Sequence, residues 1–289
     1  VVAANGCPTL LKLLVLVFGS SYWEPVNHLS PSEYPAPDWH VETLRASVFF
    51  APTASIDAEV AFVSVTKEEP ENVVEDRKKA MVRALGPFLG GQLEVVSSPR
   101  RLDLILSPHT AVEGSLPTFG SWEDVGPQFD EGIARVLATH PRLTRLAFGG
   151  VLLSSVADHI QGYALLNQLL PDVNVNGELS SDFQYRINRR RPFNTREGKT
   201  IPINRLTNWS VAKMQGFIFE VEVPGSPATP GVARTLTPMA TNDTAFATRL
   251  EFDVNTSPEM EDLPTPELVD LWRKLVEYTF EIAQKGDIQ

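Results

Sequence analysis

Apolar residues recur along this chain at two spacings, every second residue and every third or fourth, and the segments so marked predict a mixed fold. Period-two alternation marks a half-buried strand. It runs through residues 44–50, 59–65, 92–96, 101–106, 143–156, 217–223 and 244–254. It is most developed over residues 182–211, where Phe183, Tyr185 and Ile187 alternate and Ile201, Ile203, Trp209 and Val211 resume the same parity. This stretch contains Ile-Asn-Arg twice, as Ile187-Asn188-Arg189 and Ile203-Asn204-Arg205. The simplest construction is a long antiparallel hairpin at the centre of a sheet, with the two Asn-Arg pairs approaching each other near its turn.

Helical spacing marks residues 71–89 through Val74, Met81, Val82 and Leu85, with acidic residues at the start and Gly86, Gly90 and Gly91 ending the run. It recurs at 122–139, where Val125, Phe129, Ile133, Val136 and Leu137 share a face and Ser121 with Asp124 has capping-box spacing. Residues 158–170 and 264–285 complete the set, the last on Leu268, Leu271, Leu275, Tyr278 and Ile282. Gly149-Gly150, inside a predicted strand, suggests a bulge or a close backbone approach. The fold class is therefore α+β, a mostly antiparallel sheet with helices packed on one face. The chain divides into a Pro-rich arm (1–40), an α+β segment (41–140) and a second one (141–289) holding the long hairpin; the short His140-Pro141 link makes the last two, if subdomains, closely packed ones.

Composition adds limits. The chain has 289 residues, 43% hydrophobic and 21% charged, enough for a sizeable core and unlike a disordered or multispan membrane protein. A net charge of -11 disfavours a broad phosphate-binding surface. The single cysteine, Cys7, excludes an internal disulfide and a cysteine-based zinc site, and a cytoplasmic setting fits it best. The apolar run 10–18 contains Lys12 and is too short to span a membrane, so no membrane partner is expected.

Signatures of catalysis are missing. Leu85-Gly86-Pro87-Phe88-Leu89-Gly90-Gly91 lacks the Lys-Ser/Thr ending of a phosphate loop, no nucleophile elbow occurs, and the histidines lack ligand spacing. No cofactor is expected. Glu251 and Asp253 share one side of a strand with Arg249 and Asn255, which makes them metal candidates, although neutralisation by Arg249 is the simpler reading. The hairpin holds the better binding candidates. Asn188 and Asn204 fall on one face, while Arg189 and Arg205 share the other with Tyr185 and Trp209; Arg186, Arg190 and Arg191 add charge. Guanidinium planes pair with carboxylates or phosphates and stack on aromatics. Cross-pairing with Glu220, Glu222, Glu251 or Asp253 is the structural alternative.

The segments Asp182-Phe-Gln-Tyr-Arg-Ile-Asn-Arg189, Ile203-Asn-Arg-Leu-Thr-Asn-Trp-Ser210 and Leu250-Glu-Phe-Asp-Val-Asn-Thr256, ahead of a C-terminal helix, resemble an uncharacterised, sporadically distributed family of prokaryotic conserved hypothetical proteins, mainly over residues 143–285. The resemblance implies no activity and transfers no catalytic residue; its patchy distribution is compatible with a mobile-element or defence-associated gene. The sequence thus favours a non-enzymatic binding or assembly protein that engages a protein partner or another copy of itself. A nucleic-acid-binding or RNA-processing accessory using the arginine-rich hairpin is the alternative, and a metal-dependent hydrolase centred on Glu251 and Asp253 is the second.

Overall fold

The computed structural model describes residues 36–51, 56–109, 115–139, 143–221, 236–257 and 263–287, with the side chains of 215–221 and 236–244 left out. The Pro-rich arm before residue 36, the His140-Pro141 link, the connection after Val221 and the acidic Glu259, Glu261 and Asp262 lie outside the described residues. The elements are β1 (His40–Phe50), α1 (Ala58–Thr66), β2 (Asn72–Asp76), β3 (Met81–Phe88), β4 (Gly91–Ser98), β5 (Arg101–Ser107), α2 (Trp122–Ala138), β6 (Leu143–Val156), α3 (His159–Leu169), β7 (Gln184–Asn188), β8 (Arg191–Asn194), β9 (Thr200–Val221), β10 (Leu236–Thr256) and α4 (Thr265–Lys285).

The ten strands form one sheet in the order β2-β3-β4-β5-β1-β6-β10-β9-β7, with β8 also on β9. All these pairings are antiparallel. From β1 the chain crosses through α1 to the far edge, meanders back until β5 pairs with β1, and closes with α2. It then repeats this plan. β6 pairs with β1 and leads into α3; β7 and β8 share the next edge, β9 and β10 return until β10 pairs with β6, and α4 closes the second unit. The two units meet along the β1–β6 seam and where α2 packs on α4.

Strand alternation decides which face the helices cover. Leu44, Ala46 and Val48 on β1, Leu102, Leu104 and Leu106 on β5, Phe148 and Leu152 on β6, and Leu250, Phe252 and Val254 on β10 are all buried against the helices. Trp122 at the start of α2 stacks on Phe280 of α4 with ring centroids 4.3 Å apart, and Phe148 meets Trp272 edge-on at 5.2 Å. The reason for Gly150 is steric: a Cβ there meets the Thr43 carbonyl at 2.6 Å and the Phe252 ring at 2.8 Å. The expected close approach is present.

The structure corrects four expectations. Residues 71–89 are not a helix but the β2–β3 hairpin, whose turn is held by the Asp76 carboxylate accepting from the backbone N–H groups of Lys78 and Lys79. β2 is an edge strand exposed on both faces, Val73 at 41% and Val74 at 54%, so the alternation that would reveal it is missing. Conversely, residues 59–65 are helical. Asp57 caps α1 by accepting from Glu59 and Val60 N–H, and Ala58, Ala61, Phe62 and Val65 form its buried stripe at helical spacing. The arginine-bearing hairpin lies at one edge of the sheet, since β7 and β8 have only β9 beside them, and β1 and β6 hold the centre. Residues 217–221 are no separate strand; they continue β9.

Candidate functional site

The repeated Ile-Asn-Arg sequence places its residues on two faces with different partners. Tyr185 sits opposite Trp209, and Asn188 opposite Leu206, so β7 is in register until it ends at Asn188. There the Arg189 N–H donates to the Arg205 carbonyl at 3.1 Å, and the Arg205 N–H donates to Asn188 Oδ1 at 3.1 Å. The two copies do meet.

On the helix side the arginines serve the C-terminal helix and the residues after it. Arg189 donates through Nε to Asp287 Oδ1 at 2.6 Å and through Nη2 to Asp287 Oδ2 at 2.9 Å, and it reaches Asp172 at 3.3 Å. The Tyr185 hydroxyl donates to the same Asp287 at 2.9 Å. Burial and that bond hold the Tyr185 phenol above its usual range, and the Asp287 bond raises the Arg189 guanidinium. Arg205 is 2% exposed, lies over the Tyr278 ring at 5.1 Å and approaches Glu281 only to 3.9 Å. Its Nε and Nη1 have no described hydrogen-bond partner, and burial lowers its guanidinium although Glu281 opposes the shift. The acidic partners are thus Asp172, Glu281 and Asp287, where the sequence suggested Glu220, Glu222, Glu251 or Asp253. Trp209 is fully buried beside Trp39, at 6.3 Å. Arg191 lies on the same side through its pairing with Ile203, and Arg190 is exposed between the two strands.

The opposite face has no described helix on it. Here the asparagines form a relay across three strands: Asn188 Nδ2 donates to Asn204 Oδ1 at 3.2 Å, Asn204 Nδ2 to Asn255 Oδ1 at 3.1 Å, and Asn255 Nδ2 to Asp253 Oδ1 at 2.9 Å. Amides, which both donate and accept, are the residues able to continue such a chain. Beside it lies a hollow of about 420 Å³, reaching from Ile105 on β5 to Arg186 on β7. Its floor is Gly149, Val151 and Leu206, and its polar wall includes Thr43, Arg45, Asn208, Glu251 and Asp253. Gly149 keeps the floor low. A Cβ there would meet the Phe252 carbonyl at 3.2 Å and come into ordinary contact with Arg45 Nη2 at 3.7 Å, so a side chain at this position would lie beside the guanidinium.

The charges around the hollow are unevenly satisfied. Glu251 Oε2 accepts from Arg249 at 3.0 Å and from Asn208 at 3.4 Å. Burial works against its charge, yet Arg249, Asn208 and Arg186 together hold its carboxyl below the usual range. A general base for neutral pH needs the opposite shift. Burial instead pushes up the neighbouring Glu42, with Arg249 4.0 Å away opposing and Glu251 reinforcing. Among the described residues Arg45 and Arg186 have neither a hydrogen bond nor a carboxylate within ion-pair distance, and the buried Oδ1 of Asn208 has no partner. No group of three metal-ligating side chains occurs among the described residues.

The structure therefore separates the sequence candidates. Arg186, Asn188, Asn204, Glu251 and Asp253 share the open face, whereas Tyr185, Arg189, Arg205 and Trp209 turn toward the helices. Sequence reasoning missed Arg45, Thr43, Val151 and Asn208. The available signal for Arg45 was its place between Leu44 and Ala46 in an alternating strand, and for Gly149 its position in the paired glycines. No family model, curated protein or solved structure matches the chain. No described helix is long and apolar enough to cross a membrane.

Proposed function

We propose that this is a non-enzymatic binding protein that receives a partner protein on the open face of its sheet. One observation carries the reading: two guanidinium groups without a described acceptor, Arg45 and Arg186, stand at either end of a hollow on a face free of described helices. Guanidinium groups without a described hydrogen bond at a concave polar surface supply the donors from which interfaces gain orientation and specificity. The resemblance over residues 143–285 is compatible with a partner from a mobile-element or defence system. A phosphate-binding hairpin has less support, because Arg189 already serves Asp287, Arg205 is buried against Tyr278, and Trp209 belongs to the core.

The test is a photo-crosslinking amino acid placed at Thr43 or Gln184 on the open face, or at Gln284 on the exposed side of α4, in cells of the native host. A discrete adduct with a second protein is expected from the first two positions and not from the third. Equal labelling from all three, or none from any, would overturn the proposal.

A further inference from the structure

The charge layout of the hollow specifies its occupant more closely than the presence of a surface does, and this step rests on the reading of the open face as the binding surface. Pairing register gives the layout. Arg45, Gly149, Asp253 and Leu206 lie in one row across β1, β6, β10 and β9. Thr43, Val151, Glu251, Asn208 and Arg186 lie in the next row, which extends to β7. The hollow is therefore a trough running across the strands, with Arg45 beside Ile105 toward one end, Arg186 at the other and two carboxylates in the middle.

The middle retains acceptor capacity. Asp253 accepts from Asn255 through Oδ1 and Glu251 from its neighbours through Oε2, which leaves Asp253 Oδ2 and Glu251 Oε1 without a described donor. The ends retain donors, as described. Four strand spacings and one row separate the Cα atoms of Arg45 and Arg186, about 20 Å at about 4.8 Å per strand; Arg45 Nη2 lies beside Gly149 and Arg186 acts on Glu251, both toward the middle, which brings the heads within the span of about five extended residues. In an extended segment, alternate side chains point the same way. We infer that the trough binds an extended segment of a partner protein whose alternate residues read acidic, basic, acidic, the outer carboxylates meeting Arg45 and Arg186 and the central cation meeting Glu251 and Asp253.

Gly149 and Gly150 provide a built-in control. A side chain at Gly149 enters the trough, whereas one at Gly150 enters the core against Thr43 and Phe252. The experiment measures fluorescence anisotropy of a labelled, capped peptide Glu-Ser-Lys-Ser-Glu at low ionic strength, against its charge-inverted counterpart Lys-Ser-Glu-Ser-Lys, using the full chain. The first peptide is expected to bind and the inverted one to bind at least about ten-fold more weakly, since like charges then face each other at all three positions. Arg45→Ala and Arg186→Ala are each expected to weaken binding by about two- to five-fold, the range for exposed ion pairs, and Gly149→Leu to weaken it further. The arginine variants alter solvent-facing groups and keep the test valid should Gly149→Leu fail to fold. Equal binding of both peptides, binding of neither, unchanged affinity in both arginine variants, or full displacement by an equal concentration of adipate, the mark of a simple anion site, would overturn the inference. If the peptide fails while adducts still form from Thr43 and Gln184, only this inference falls; if the adducts fail as well, the underlying reading falls with it.

Discussion

At the scale of single residues, the two arginines of the repeat differ in what they contribute. Arg189 and Asp287 form a two-point ion pair with Asp287 almost fully buried, and Tyr185 donates to the same carboxylate. Asp287→Ala leaves Arg189 and Tyr185 with a missing acceptor, and a loss of about 2–3 kcal/mol is expected in denaturant unfolding, less than for a fully buried pair because Arg189 is partly exposed. Arg205 is buried with two donors unsatisfied, so Arg205→Met, which keeps the stem over Tyr278, is expected to be neutral or to stabilise by up to about 2 kcal/mol. Glu42 gives a pH signature. Its folded pKa is raised, so the fold favours the protonated form: its stabilising contribution is complete below the unfolded carboxylate pKa and is lost as pH rises through the raised folded value. Glu42→Gln should therefore raise the melting midpoint at pH 7, by less than the equivalent of about 1 kcal/mol at this half-buried site. The gain should vanish in acid below the carboxylate range; a gain that persists there would contradict the assignment.

At the scale of elements, the turn joining β2 to β3 explains both a misreading and an opportunity. It contains neither glycine nor proline. Instead, Asp76, Arg77, Lys78 and Lys79 form a charged run, and Ala80 takes φ 49°, a left-handed conformation costing an alanine about 1 kcal/mol. Ala80→Gly is expected to stabilise the protein by up to that amount, read as a higher melting midpoint with an unchanged fold. The same turn hid the hairpin from sequence reasoning: with Asp76 as its one turn-forming residue inside a charged run, and an edge strand buried on neither face, Val74, Met81, Val82 and Leu85 imitate a helical stripe. Helix α1 failed for the reverse reason, since its β-branched Val60, Val63 and Val65 suggest a strand and only the spacing of Ala58, Ala61, Phe62 and Val65 betrays a helix. Elements with one clean face, such as β5, α2 and α4, were legible. The hairpin strands were legible too, but their place at the sheet edge was not, because pairing order depends on contacts distant in sequence. The site divided in the same way: parity alone put Asn188 and Asn204 opposite Arg189 and Arg205, whereas Asp287 and Arg45 become their neighbours only through the fold.

At the scale of the whole molecule, the two units share one core but are joined through a limited set of contacts, β1 with β6 and α2 with α4. Across the seam Trp122 and Phe129 of α2 also meet Phe148 of β6, and Trp39 donates to the Ala283 carbonyl of α4 at 2.8 Å. Co-expression of residues 36–139 with residues 143–289 as separate chains is therefore expected to yield a one-to-one complex with the circular dichroism of the intact protein; two species that elute separately would show that covalent continuity is needed to hold the seam. The long β9–β10 pairing carries the second unit beyond the seam, from Ile203 opposite Thr256 out to Val221 opposite Leu236. β6 follows β10 only from Asn255 to Phe246, and β7 follows β9 only as far as Ser210. Past those points the hairpin has no third strand among the described residues.

The seam between β1 and β6 has one more consequence. Its contacts are indifferent to whether the two units belong to one molecule, and only three residues separate the last described residue of the first unit from the first of the second. Two copies can therefore trade units, each first unit docking on the other copy's second, and lose nothing except the proximity that the link provides. Shortening the link is therefore expected to favour an exchanged pair with two open faces in a single particle, read as a doubled solution mass relative to the unaltered chain.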